Sequence, residues 1–252
     1  MNFKHLVAAM SAAAMSVVAT PGHAVPVDLE LQLLVDVSGS IDSGEFTLQQ
    51  DGYEAAFRDA GIISAIENGT IGSIAVQLIY WSSASSQQIG VDWALISDGT
   101  SANAFADAVA AAARPFTGGT QPDDAINYGA PLFNDNGYEG SRLVMDVSGD
   151  GTGTASDTAA ARDAALAGGV DAINGLVIGT STSLQDFYMA NIVGGAGGFL
   201  VVANTFEDFA SAVLTKIGRE IIGSEVPVPG AIPLMATGLF VLWRRSRRKA
   251  SV

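Results

Sequence analysis

The chain has 252 residues, 48% of them apolar and none of them cysteine. It is long enough to bury one large core, and disulfides and thiol chemistry are excluded. The formal charge is −14, and the imbalance is local: the span 28–225 holds all 26 acidic residues but only Arg58, Arg114, Arg142, Arg162, Lys216 and Arg219 as bases, a net charge of −20. Such a surface repels nucleic acid and anionic lipid and attracts cations.

Residues 1–24 read as a secretory signal peptide. Lys4 is a basic start, an apolar stretch follows from Leu6, and Gly22-His23-Ala24 is a small-x-small ending. The only histidines, His5 and His23, lie in this segment. A mature chain without His or Cys has neither Ser-His-Asp triads nor the usual zinc sites. No Gly-x-x-x-x-Gly-Lys loop is present, so P-loop nucleotide chemistry is excluded as well.

From residue 25 to about 222, apolar runs alternate with helical stretches. Strands are predicted at 29–36, 72–81, 88–93, 142–147, 172–178 and 198–202. Helices are predicted at 44–60, 102–113, 122–133, 155–167, 183–193 and 206–221. Asp42 with Glu45 forms a capping box ahead of the first helix, and Thr205 with Asp208 suggests a similar start to the last. Phe46, Tyr53 and Phe57 recur at helical spacing and read as core. Gly194-Gly195-Ala196-Gly197-Gly198 follows a helix and precedes a strand, the reverse of a dinucleotide fingerprint, and reads as a connection. Continuous apolar strands alternating with helices predict an α/β fold: a doubly wound, mostly parallel six-stranded sheet with helices on both faces.

Three segments carry oxygen ligands to strand ends or loops. Asp36-Val37-Ser38-Gly39-Ser40 closes the first apolar run. Phe116-Thr117-Gly118-Gly119-Thr120 forms a Gly-rich loop. Asp146-Val147-Ser148-Gly149-Asp150-Gly151 closes a later strand. Side chains of Asp, Ser and Thr offer only oxygen, the preference of a hard divalent cation. In doubly wound sheets, ligands bind beyond the carboxyl ends of strands where the winding reverses. Asp123 and Asp124 read instead as the first turn of a helix, where carboxylates suit the dipole. Tyr80, Trp81 and Ser82 end a strand on the same rim, and a buried Trp is the simpler reading there.

These three segments resemble the metal-ion-dependent adhesion site (MIDAS) of von Willebrand factor type A (VWA) domains, in a bacterial branch of unassigned function. The resemblance covers nearly all of residues 27–222. Carried over by position, it implies a Rossmann-like VWA fold and a metal site of Asp36, Ser38, Ser40, Thr120 and Asp150. Ser38, Ser40 and Thr120 would be direct ligands, and Asp36 and Asp150 would orient bound water. Asp146 is the alternative to Asp150, as a ligand or as a support behind one. The implied ion is Mg²⁺, with Mn²⁺ or Ca²⁺ as alternatives, and an open position would accept a carboxylate from a partner.

Residues 223–252 combine a Pro-rich hinge (Val226-Pro227-Val228-Pro229), a short apolar segment and the basic cluster Arg244-Arg245-Ser246-Arg247-Arg248-Lys249. This tail resembles the exosortase-dependent PEP-CTERM sorting signals of Gram-negative bacteria, in a Val-Pro-x-Pro variant; a plain membrane anchor is the simpler reading. Either implies a domain outside the cytoplasm, whose C-terminal segment lies in the membrane at least transiently, and the sorting reading adds an exosortase-like processing enzyme as a partner. The expected function is non-enzymatic, metal-dependent adhesion to an acidic group of a protein or polysaccharide. A phosphatase-like metal-dependent hydrolase and a scaffold merely stabilised by metal are the alternatives.

Overall fold

The computed structural model describes residues 23–223. The predicted signal peptide and C-terminal tail lie outside the described residues, except for 23, 24 and 223 at their margins. No described helix is long and apolar enough to cross a membrane.

A central sheet carries the fold. Its strands are β2 (Leu29–Asp36), β3 (Ile74–Trp81), β4 (Gln87–Ile96), β6 (Leu143–Gly149), β7 (Ala172–Ile178), β8 (Gly194–Gly195) and β9 (Leu200–Ala203). The order is β4-β3-β2-β6-β7, with β8 and β9 both pairing with β7. β2 runs parallel to β3 on one side and to β6 on the other, so the winding reverses at β2. Two strands depart from the parallel pattern. β4 is antiparallel to β3, and the two-residue β8, inside the glycine run read as a plain connection, is antiparallel to β7. Away from this sheet, β1 (Val25–Val27) pairs with β5 (Tyr138–Gly140).

Among the described residues, seven α-helices cover the two faces: α1 (Ser43–Arg58), α2 (Ala60–Glu67), α3 (Gly99–Ala111), α4 (Pro122–Gly129), α5 (Ala155–Ala167), α6 (Thr182–Asn191) and α7 (Phe209–Ile222). Strand alternation sorts the core into two layers. Leu31, Leu33 and Val35 pack with Tyr53, Phe57, Phe105, Phe209 and Ile217 under α1, α3 and α7. Leu34, Met145 and Val147 pack on the other face with Ile126, Ala161, Leu184 and Tyr188 from α4, α5 and α6. Each fully buried Leu, Ile or Phe is worth about 1.5–3 kcal/mol relative to exposure. That both-faced burial is why β2 and β3 are mostly apolar, with Glu30, Gln32 and Gln77 as buried polar interruptions.

Several predicted boundaries move, three of them at the helices. The first helix ends at Arg58, because Asp59 takes extended backbone and its side chain accepts the Gly61 and Ile62 amides at 2.8 and 3.1 Å, which starts α2. The stretch 122–133 divides into α4 and a 3-10 turn, Ala130–Phe133. α7 begins at Phe209, and its N-cap residue Asp208 makes no side-chain cap. The capping box on α1 forms: Asp42 accepts the Gly44 and Glu45 amides, and Glu45 accepts the Asp42 amide at 2.8 Å.

Candidate metal centre

β2 ends at Asp36 and β6 ends at Gly149, side by side at the reversal, so their exit loops meet. The loop before α4 is the third partner, and the three are tied in a triangle. Gly39 N–H donates to the Gly118 carbonyl at 2.7 Å, joining the first loop to the second. The Ser40 hydroxyl donates to Asp150 Oδ1 at 2.7 Å, joining the first to the third. Gly151 lies against Thr120, and a Cβ there would stand 3.0 Å from the Thr120 hydroxyl, which joins the third to the second. All five residues predicted to form the site are therefore on one rim of the sheet.

Within the cluster, Ser38 and Ser40 hydroxyls are 3.0 Å apart, and the Ser38 amide donates to Asp36 Oδ1 at 2.7 Å. Asp36 Oδ2 is buried and has no hydrogen-bond partner. Burial pushes the Asp36 carboxyl up to about 7; the hydrogen bonds from Ser38 pull it down, and the charge of Asp150 pushes it further up. A buried carboxylate oxygen without a donor is costly and is relieved by a proton or a cation. The donor set of two carboxylates and three hydroxyls is all oxygen, so the residues fit a hard divalent cation. Among the described residues, no group of three or more His, Cys, Asp or Glu is placed to hold a metal ion. Two carboxylates leave such an ion only just neutralised and able to take a further anion.

Asp146 stands elsewhere. It lies within β6, is 1% exposed, and its Oδ1 is 2.5 Å from Lys216 Nζ on α7, so its side chain faces the helix layer rather than the rim. Asp123 and Asp124 sit in the first turn of α4, as the dipole argument expects.

Several supporting groups were missed in the sequence. Arg114 donates from one guanidinium nitrogen to the carbonyls of Val37, Ser38 and Ile41, each at 2.8 Å, and so holds the Asp36–Ser40 loop in shape. Ser83 accepts the Gly119 amide at 2.7 Å and fixes the Gly-rich loop. Tyr188 on α6 is fully buried, and its hydroxyl, without a partner, flanks Gly149 as Asp36 Oδ2 does. A Cβ on Gly149 would stand 2.7 Å from Asp36 Oδ2 and 2.8 Å from that hydroxyl. None of these was singled out in the sequence, although the neighbouring Ser82 was, at a strand exit on the same rim.

Comparison with solved structures places the fold. The von Willebrand factor domain of the type V pili tip protein Mfa5 from Porphyromonas gingivalis matches 81% of this chain and 98% of its own, at 9% identity and a TM-score of 0.57. A von Willebrand factor type A protein from Catenulispora acidiphila matches 77% of this chain at 16% identity and a TM-score of 0.54. Proximal thread matrix protein 1 from the mussel byssus, in a form with a zinc-occupied MIDAS motif, matches 79% at 12% identity and a TM-score of 0.52. This chain spans 43% and 49% of the last two, so the likeness is that of a domain. Comparison with curated protein sequences gives no match. The fold is the Rossmann-like α/β fold of VWA domains. A family model matches residues 26–225, and the chain belongs to that family, described as a protein of unknown function (DUF1194).

Proposed function

We infer that the domain is an exported, metal-dependent adhesion module. One divalent cation, Mg²⁺ or in its place Mn²⁺ or Ca²⁺, is held at the rim by Asp36, Ser38, Ser40, Thr120 and Asp150. The observation that carries this reading is the closed triangle of loops, with its hydroxyl chain from Ser38 through Ser40 to Asp150 and the unpartnered Asp36 Oδ2 beside it. When bound, the cation supplies an electrophile for an acidic group of a partner protein or polysaccharide. The chain's own residues fix the hydroxyls and keep two carboxylates, not three, near the ion. Neighbours of the same fold that are described as pilus proteins support an adhesive role outside the cell. The tail beyond residue 223 would then deliver the domain to a Gram-negative surface or matrix through an exosortase-like enzyme.

A hydrolytic reading has less behind it. Lys216 is the only lysine among the described residues and is fully buried under α7, so no lysine is free at the rim to hold a phosphoryl group.

The test is calorimetric titration of Mg²⁺ and Mn²⁺ into the purified chain, beside Asp36→Ala and Ser40→Ala. Saturable one-site binding, lost in both variants and stripped by EDTA, is expected. Unchanged affinity in both variants would overturn the site.

A further inference from the structure

Lys216 sits in a site of its own. Its Nζ is 2.5 Å from Asp146 Oδ1 and 2.6 Å from Glu220 Oε1, and none of the three side chains is more than 1% exposed. Glu220 Oε1 also accepts the Asn174 side-chain amide at 2.8 Å. The Phe199 N–H donates to Asn174 Oδ1 at 3.1 Å, which fixes that amide's orientation and aims its NH₂ at Glu220. The Phe199 ring lies 5.7 Å from the ammonium. Both Asp146 oxygens and Glu220 Oε2 are buried without a hydrogen-bond partner, so Asp146 Oδ1 meets the ammonium as an ion pair only. Two carboxyls thus share one ammonium in a dry pocket. Burial raises both, against the pull of Lys216, and Glu220 reaches about 7. Keeping ions in such a place carries a desolvation cost on the order of what their attraction returns.

We propose that Lys216 and Asp146 join in an intramolecular amide bond that pins α7 to β6, with Glu220 as the proton relay. Proton transfer within the contact turns ammonium and carboxylate into amine and carboxylic acid. Nζ then attacks Asp146 Cγ. The Nζ–Cγ bond forms and one Cγ–O bond breaks. Glu220 carries a proton from the nitrogen to the departing oxygen, which leaves as water. No oxidant, metal or co-reactant is needed. Holding the two groups in contact supplies the advantage of an intramolecular reaction, and the sealed core keeps water from reversing it.

Charge selects the electrophile. An amide to Asn174 would strand the carboxyls of Asp146 and Glu220 with no cation between them. An amide to Asp146 removes one buried charge of each sign and leaves Glu220 as a neutral acid bonded to Asn174. Asn174 is accordingly a positioning residue. This inference is independent of the metal centre.

Peptide mapping of the denatured full chain tests it. Trypsin cuts after Arg142, Arg162, Lys216 and Arg219. A linked chain resists cleavage at Lys216 and yields peptide 143–162 joined to peptide 163–219, lighter than their sum by one water. In Glu220→Gln the linked fraction falls at least about tenfold, as removal of a proton relay predicts. Free 143–162 together with cleavage after Lys216 in the wild type would overturn the proposal. Loss of ammonia within 163–219 would also overturn it, because Asn174 would then be the electrophile.

Discussion

Ser40 and Asp150, 110 residues apart, meet through a 2.7 Å hydrogen bond between hydroxyl and carboxylate. The bond closes the rim between two parallel strands that never contact each other in sequence. It also places a hydroxyl oxygen against the second of the two carboxylates. A cation entering here would take both oxygens from groups already facing one another, so little rearrangement is required.

The two states of Asp36 give opposite responses to pH. Its folded carboxyl titrates near 7 against an ordinary 3.8. The folded chain therefore keeps a proton that the unfolded chain has already lost. The associated stability is fully present below 3.8 and is lost as pH rises through about 7. Thermal melts of the metal-free wild type should drop between about pH 5 and pH 8 by more than those of Asp36→Asn. Mg²⁺ affinity should rise over the same window by up to about tenfold per unit and then level off, since the cation competes with one proton. A metal affinity flat across that window would show that Asp36 is not protonated in the free site.

Arg114 serves three carbonyls at once. Arg114→Leu should cost about 2–4 kcal/mol in urea unfolding, because three loop acceptors lose a charged donor. It should also weaken Mg²⁺ binding although Arg114 carries no ligand atom. A loss below about 0.5 kcal/mol would mean that water replaces the guanidinium without penalty.

Gly149→Ala should damage the site more than the fold. The new methyl would press on Asp36 Oδ2 and the Tyr188 hydroxyl at under 3 Å, costing about 1–3 kcal/mol. Metal affinity should fall at least about tenfold, equivalent to 1.4 kcal/mol. Tyr188→Phe combined with Gly149→Ala should recover part of the stability, by making room on one side. No recovery in that double variant would place the strain wholly on Asp36.

Asp42→Ala removes the capping box at the start of α1, two residues beyond Ser40, without removing a proposed ligand. Stability should fall by about 1 kcal/mol with Mg²⁺ affinity unchanged. A parallel loss of metal binding would indicate that α1 transmits strain to the Ser38–Ser40 loop.

How much was readable in the sequence follows from the range of each interaction. β2, β3, β6 and β7 are buried on both faces, so they are apolar enough to be legible despite buried polar residues such as Gln32, Gln77, Asp146 and Asn174. Asp36, Ser38 and Ser40 lie in one short loop, and the Asp42 box is equally local. α2 was missed because Asp59 caps it directly behind α1, and one long helix followed by a loop reads the same way. β4 looks like any half-buried strand, and its reversed direction depends on a short turn at Ser82–Ser86. Arg114 was invisible as a loop clamp because its partners are backbone carbonyls 73 to 77 residues away, which carry no side-chain signature. Lys216 was only counted among the bases, because one of its two carboxylates, Asp146, is brought to it from a distant strand.

The treatment of basic residues has a consequence for resistance to proteolysis. Arg58 is paired with Glu54 and Asp107, Arg162 with Asp163, and Arg142 with the last carbonyls of α7. Arg114 is held by its loop, Arg219 stacks on Phe199, and Lys216 is sealed in the core. Every basic side chain of the described domain is engaged. A trypsin-like protease must seat a free lysine or arginine in its specificity pocket before it can cut. Lys216 offers it nothing until the fold opens, whereas Arg58, a third exposed in its surface pairs, is the described basic side chain most open to attack.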